Sequence, residues 1–438
     1  MLRNFFKEAL SEFRKLAKGG LFYIFGSSVV AQIGALLSSF LVIRNLSKVE
    51  YGGYVSAHNL YSYVGIFIGL GMASAVMQFC SEHVTEQRKN AIYRYSFWKG
   101  TRFNILLGFF ILFLAFFKQR SGSAVPAYYL RLMCGLPFFS YANSFFLTAL
   151  RIQRKNREFS RLNVISTILT VFGNILFTRL FGIPGLIASN YAATAAAAWL
   201  GFLELRRSGF ISSVFSQPQA LPDSSKKTIT KYAVLCALTN FTSTILVLLD
   251  ITCLDATLSD PNILADYKVA AVLPSACTFI PTCLITYFYP HMVENFSSGI
   301  DVFKRYFRRL LKIFTLINFV VFVGLMLFAP LMITLIYGEK YANVLPIFRV
   351  LCLNYFITAS FRKLLGNMIV VVRAVNINLL HTLLAGGLNI ILDLILIQRL
   401  GPIGAAIATV CITIFITLLE LLFFRRFFRR TAGSESRT

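Results

Sequence analysis

Two short stretches decide the architecture: NVISTILTVFGN, Asn163–Asn174, and NLLHTLLAGGLN, Asn378–Asn389. They align without gaps and share Asn163/Asn378, Thr167/Thr382, Leu169/Leu384 and Asn174/Asn389. Each runs into a Gly-bearing turn, RLFGIPGLIAS (Arg179–Ser189) and RLGPIGAAIAT (Arg399–Thr409), then into another apolar stretch ending in basic residues. A weaker echo links EYGGYVSA, Glu50–Ala57, with ADYKVAA, Ala265–Ala271. A constant internal register marks a duplicated unit. Parallel repeats of membrane helices are typical of carriers that alternate access between two bundles around a site between them.

The surrounding chain is apolar enough for that reading. Apolar side chains make up 57% of the 438 residues and charged ones 14%, against about 45–50% and about 25% in soluble domains. Roughly 250 apolar residues, at about 20 per bilayer crossing, are nearly exhausted by a dozen helices, which leaves little for a soluble domain. Apolar spans are expected near 19–43, 53–80, 103–117, 124–149, 163–178 and 185–205, then near 231–255, 267–290, 313–336, 343–372, 376–398 and 403–424. The expectation is an all-α polytopic membrane protein with twelve transmembrane helices in two homologous six-helix lobes. Its parts are an amphipathic anchor at 1–18, lobes at 19–205 and 231–424, a polar linker at 206–230 and a basic tail at 425–438.

A net charge of +25 suggests nucleic acid in a soluble protein, but its placement here is topological. Alternate loops carry about 31 Lys and Arg against 8 in the intervening ones, so the positive-inside rule puts both termini in the cytoplasm with an even number of crossings. In MLRNFFKEALSEFRKLAKGG, apolar residues recur at helical spacing between basic ones and no signal-peptide core is present, which predicts a helix lying flat on the inner leaflet. Asp301–Lys312 has the same basic, aromatic character and reads as a second interface anchor. The eight cysteines form no C-x-x-C pair and fall mostly inside apolar spans, where a thiol acts as a small hydrophobe.

The opening FGSSVVAQIGALLSSFLVIRNLSKVEYGGY, the later LIYGEKYANVLPIFRVL and the two N-x-x-x-T-x-L blocks resemble the polysaccharide-transporter branch of the multidrug/oligosaccharidyl-lipid/polysaccharide (MOP) exporter superfamily. Within it the chain is similar to Wzx-type O-antigen flippases along essentially its whole length, through diffuse Gly, Tyr and Asn patterns. The resemblance implies a V-shaped, MATE-like carrier that moves polyprenyl-pyrophosphate-linked oligosaccharide across the cytoplasmic membrane, without a cofactor. It also implies membrane lipids as partners, with the polymerase and chain-length regulator of the same pathway as candidates, a monomeric state and no nucleic acid.

Catalytic signatures are missing. The chain has no G-x-x-x-x-G-K-[ST] loop, no H-E-x-x-H and no D-x-D pair, so neither catalytic nor metal-binding residues are expected. The short outer loops, the longest around Asp255–Asp266, speak against a membrane polysaccharide polymerase. A MATE-like drug/cation antiporter is the other alternative.

Polar groups at membrane depth are costly and are functional candidates by default. Arg131 falls about seven residues, or ~10 Å, inside the fourth span, and Arg362 and Lys363 about ten residues before the inner end of the tenth. Each either snorkels or pairs locally, or serves with the others as a cationic contact for pyrophosphate, which Arg holds through paired charge-assisted bonds and Lys as a point charge. Asp250 and Asp393, the latter four residues after Asn389, are expected to couple transport to proton or sodium occupancy; a lobe-to-lobe salt bridge or a solvated span end is the structural reading of Asp250. His58 and Asn59 are candidate sugar contacts or interhelical bridges. Gly65 and Gly69 form a G-x-x-x-G packing motif, while Pro126, Pro137, Pro274 and Pro281 are expected to loosen the fourth and eighth spans.

Overall fold

The computed structural model describes residues 21–81, 85–216, 221–372 and 374–435. The expected surface anchor at 1–18 and the last three residues of the basic tail lie outside that set. Among the described residues no strand occurs. The helices are α1 (Leu21–Asn45), α2 (Lys48–Gly65), α3 (Met72–Ser81), α4 (Glu86–Arg120), α5 (Ala124–Leu132), α6 (Leu136–Ile152), α7 (Asn156–Arg207) and α8 (Phe210–Ser216). They continue with α9 (Asp223–Leu258), α10 (Pro261–Cys277), α11 (Phe279–Ser297), α12 (Ile300–Leu327), α13 (Ala329–Tyr337), α14 (Leu345–Ile357), α15 (Lys363–Val371), α16 (Val375–Leu400) and α17 (Pro402–Glu435).

Nine helical runs among the described residues are long and apolar enough to cross a membrane. The twelve expected spans exceed that number partly for visible reasons. The fourth is divided at Met133–Gly135 into α5 and α6, each under 18 residues. The fifth and sixth run together in the 52-residue α7, which reverses backbone conformation at Gly182.

The chain forms two compact units, one of Met1–Leu46 with Leu60–Phe241, the other of Ser47–Asn59 with Thr242–Thr438. In the first, α7 packs against α1 and α6, around a core containing Met72, Tyr93, Tyr141, Phe145 and Phe146. On its outside, Phe109, Phe172, Leu180 and Phe181 are each more than 60% exposed. In water such a surface would drive association; in lipid it is the solvent-facing side. In the second unit, α17 packs against α14 and α16, and Phe303, Phe314, Tyr337, Tyr341 and Phe348 are buried.

The helix breaks follow from local chemistry. Pro281 has no N–H to bond back to Cys277, and the eighth expected span divides there into α10 and α11 around Thr278. Pro137 likewise stands in the first turn of α6. The G-x-x-x-G stretch corrects the sequence expectation: α2 ends at Gly65, and the chain turns left-handed through Gly69, Leu70 and Gly71 (φ 67°, 51° and 73°) before α3. A Cβ at Gly69 would strike the Tyr141 ring, and its N–H donates to Asn104 Oδ1 at 3.0 Å. Close approach is real at Gly69, but it accompanies a break rather than a continuous helix pair.

The duplication is visible in the backbone. Gly182 (φ 61°, ψ −139°) and Gly401 (φ 62°, ψ −143°) occupy the same conformation, one that is essentially restricted to glycine. Three residues on, a Cβ at Gly185 or Gly404 would overlap the carbonyl of Phe177 or Leu396, respectively. Gly182 and Gly401 lie 219 residues apart, whereas Asn163 and Asn378 lie 215 apart. Between block and turn, α16 therefore carries four extra residues, about one helical turn.

Candidate functional site

The extra turn sits where the chemistry is. Asp393 stands eight residues before Gly401, the place that Asn174 holds before Gly182. In the first unit Asn174 Nδ2 donates to Ser38 Oγ of α1 at 2.8 Å, a neutral bridge. In the second unit the corresponding region is acidic. Asn389 Nδ2 donates to Asp393 Oδ2 at 2.7 Å and to Asp250 Oδ1 of α9 at 3.3 Å, tying two carboxylates to one amide.

Asp250 Oδ2 also accepts from Thr409 Oγ1 of α17 at 2.6 Å and from the Tyr267 hydroxyl of α10. Four helices thus converge on one carboxyl group. Asp250 is 7% exposed and Asp393 fully buried beside the Cys253 thiol; no ion pair to a described cation reaches either group. Two buried carboxyls beside each other cannot both remain charged without a proton or cation. The carboxyl oxygens, with the Thr409 and Tyr267 hydroxyls, are hard ligands suited to a proton or a small alkali cation. Among the described residues no group of three or more His, Cys, Asp or Glu side chains could hold a metal.

The cations divide. Arg362 ends a π-helical step, Thr358–Arg362, between α14 and α15; such steps recur at functional positions because they displace one side chain from the regular helical face. Arg362 lies within electrostatic reach of Glu420 on α17. Glu420 is 2% exposed and its Oε2 has no hydrogen-bond partner. Lys363 turns the other way: its Nζ donates to Thr278 O at 3.0 Å and Thr282 Oγ1 at 2.7 Å, across the α10–α11 break. The two adjacent cations therefore serve different faces, one beside an acid and one braced on a helix joint.

Asn59 is an interhelical bridge, donating to Thr252 Oγ1 at 2.8 Å and Leu248 O at 3.3 Å on α9. Half-buried His58 packs its ring 5.4 Å from that of Tyr54 and senses the charge of Lys268. Arg131, in the first unit, is exposed and donates to Gln119 Oε1 at the end of α4, a local pairing.

Sequence reasoning missed Glu420, Tyr267, Thr409 and Lys268. Lys268 falls at the start of the span expected at 267–290 and lies half-buried within α10. The signal available for Glu420 was a lone acid in the apolar run CITIFITLLELLFF.

A family model described as polysaccharide biosynthesis protein matches residues 41–346. Among solved structures, the chain is similar to an inward-facing multidrug resistance MATE family transporter of the MOP superfamily, with 14% identity over 92% of this chain and 96% of that one, and a TM-score of 0.75. It is also similar to the lipid II flippase MurJ in an inward closed conformation, with 16% identity, 93% and 87% coverage and a TM-score of 0.72. A MOP superfamily transporter from Pyrococcus furiosus aligns at 14% identity, with 94% of each chain covered and a TM-score of 0.59. At these identities the structures establish the fold. No curated protein matches the chain.

Proposed function

Since the chain belongs to the polysaccharide biosynthesis protein family, we propose that it is a flippase. Its cargo on this reading is a polyprenyl-pyrophosphate-linked oligosaccharide, carried from the inner to the outer leaflet of the cytoplasmic membrane by alternating access for surface polysaccharide assembly. The observation that carries the reading is the Arg362–Lys363 pair at the π-helical step inside an apolar span. Cations kept at that depth are expensive, and an anionic headgroup crossing the membrane is what would repay them. Arg362 offers a planar fork for pyrophosphate oxygens and Lys363 a mobile charge, with Arg131 as a further contact, whereas the Asn59 amide is already engaged with α9. The tail stays in lipid.

Asp250 and Asp393 supply the drive. With both carboxyls neutralised by proton or sodium, the Asn389–Thr409–Tyr267 arrangement closes around them; release frees one charge and biases the protein toward its other state. A coupling ion acts only through such a difference in affinity between states. The charge asymmetry of the loops supports cytoplasmic termini, and the protein works as a single chain without catalytic chemistry of its own.

Replacing Arg362 or Lys363 by Ala should abolish surface polysaccharide while folded protein remains in the membrane and lipid-linked repeat units accumulate on the inner leaflet. Normal polysaccharide in both variants would remove these residues from the mechanism. The buried acid pair favours a second reading, an antiporter of cationic compounds, which predicts dye efflux and no polysaccharide phenotype. A polymerase would instead leave single repeat units on the outer surface when deleted.

A further inference from the structure

Outside the carboxylate cluster and the Arg362 region, the strongest unexplained feature is a cleft of about 440 Å³ in the second unit, between the start of α12 and the end of α17. Four cations line it: Lys304 and Arg308 from α12, Arg425 and Arg429 from α17. On each helix they are four residues apart and so share a face, where like charges repel. No acidic side chain lines the cleft, and none of the four forms an ion pair with a described carboxylate.

A merely solvated basic face would not need the floor found here. Phe307 is 6% exposed and Phe424 1%, with ring centroids 4.8 Å apart. Phe428 stands 5.4 Å from Phe307, and the Lys304 ammonium lies 6.0 Å from the Phe428 ring centre. The arrangement is a cationic rim on an aromatic base where two apolar spans end, the level at which lipid headgroups lie.

The other unit has a basic cleft of its own, at non-equivalent positions. The start of α4 borders a cleft of about 370 Å³ lined by Arg94, Lys99, Arg102 and Trp98. Lys89, 215 residues before Lys304, stands outside that cleft and is paired with Glu86 at 2.8 Å. There Lys226 on the rim is already bonded to Asp223 at 2.8 Å, so that cleft is partly neutralised.

We propose that the α12–α17 cleft binds the phosphate of an anionic phospholipid, phosphatidylglycerol or a related diacyl lipid, from the leaflet the helix ends adjoin. Arg425 and Arg429 offer forked donors to phosphate oxygens, Lys304 and Arg308 complete the charge, and the Phe307–Phe424–Phe428 floor receives the glycerol and upper acyl carbons. None of the residues assigned to transport lines the cleft, and the proposal stands whether or not the cargo is a lipid-linked sugar.

The test uses full-length protein in detergent micelles, with bound lipid counted by native mass spectrometry and thermal melting followed in parallel. Phosphatidylglycerol should bind and raise the melting temperature, and phosphatidylcholine should not. An R425Q/R429Q variant should bind phosphatidylglycerol roughly thirtyfold more weakly, at about fivefold per interfacial cation, with its melting in phosphatidylcholine unchanged. Should that variant fold poorly, added NaCl must selectively weaken phosphatidylglycerol binding to the unaltered protein. Equal binding of both lipids, undiminished phosphatidylglycerol binding by a folded variant, or salt-insensitive binding would overturn the proposal. So would tighter binding of undecaprenyl pyrophosphate at the same residues, which would make the cleft a cargo site, or equal stabilisation by inorganic phosphate alone.

Discussion

Lys363 can be tested by two substitutions whose effects on stability and on transport run in opposite order. Its ammonium bonds Thr282 Oγ1 at 2.7 Å and Thr278 O at 3.0 Å. A hydrogen bond to a charged group contributes about 1.5–3 kcal/mol, and one partner left without the other costs a buried group its desolvation energy. Thr282→Val keeps shape and cation but leaves a half-buried ammonium with one acceptor fewer, so it should destabilise by about 1–2 kcal/mol. Lys363→Met removes the charge together with its need for partners, and its two acceptors stay satisfied through the 2.8 Å bond from Thr282 Oγ1 to Thr278 O, so its cost should be under about 1 kcal/mol. Transport reverses the ranking. Loss of one charged contact to pyrophosphate, about 1.5–3 kcal/mol, should slow translocation about 10- to 100-fold in Lys363→Met, while Thr282→Val keeps the contact and stays near the unaltered rate. The assays are thermal melting of purified protein and flipping of fluorescent lipid-linked oligosaccharide in proteoliposomes. If transport falls in step with melting temperature across both variants, Lys363 is a strut for the α10–α11 joint and its proposed role with cargo is wrong.

Asp393→Asn should abolish the response of transport to an imposed proton or sodium gradient while preserving passive exchange, because Asn389 still finds an oxygen acceptor; an unchanged gradient response in proteoliposomes would remove the acid pair from coupling. Glu420→Gln should leave Arg362 without its nearby acid, tightening cargo binding about tenfold, the scale of one partly desolvated charged contact, and slowing release; an unaltered dissociation constant would contradict this. Gly401→Ala should cost about 1–3 kcal/mol, as should Gly182→Ala, because both turns need a conformation at φ 61° to 62°; melting temperatures equal to that of the unaltered protein would disprove the shared strain.

The helical membrane fold was legible because lipid leaves few alternatives: apolar runs long enough to span must satisfy their backbone internally. Breaks were only partly legible. Pro281 and Pro137 announced theirs through a missing donor, whereas Gly65 and Gly69 matched a packing pattern. The actual role of Gly69 depends on Tyr141 and Asn104, which are distant in sequence and invisible to a local motif. At the site, Asn389 and Asp393 could be read together because four-residue spacing shares a helix face, and the repeat drew attention to both. Tyr267 and Thr409 could not, since each comes from another helix and meets Asp250 only after packing. Lys268 fell inside the span expected at 267–290, but its place beside His58 depends on packing between helices that a local reading does not show.

Asp250 stands on α9 and the side chains bonded to it come from α10, α16 and α17, so on the proposed mechanism the duplicated halves divide their labour. The first preserved an uncharged amide–hydroxyl joint at Asn174 and Ser38; the second turned the comparable joint into the powered one. A hybrid assembled from two copies of the first half would keep the Gly182 corner twice over but have nowhere to take up fuel, and would let its cargo drift to equilibrium instead of pumping it.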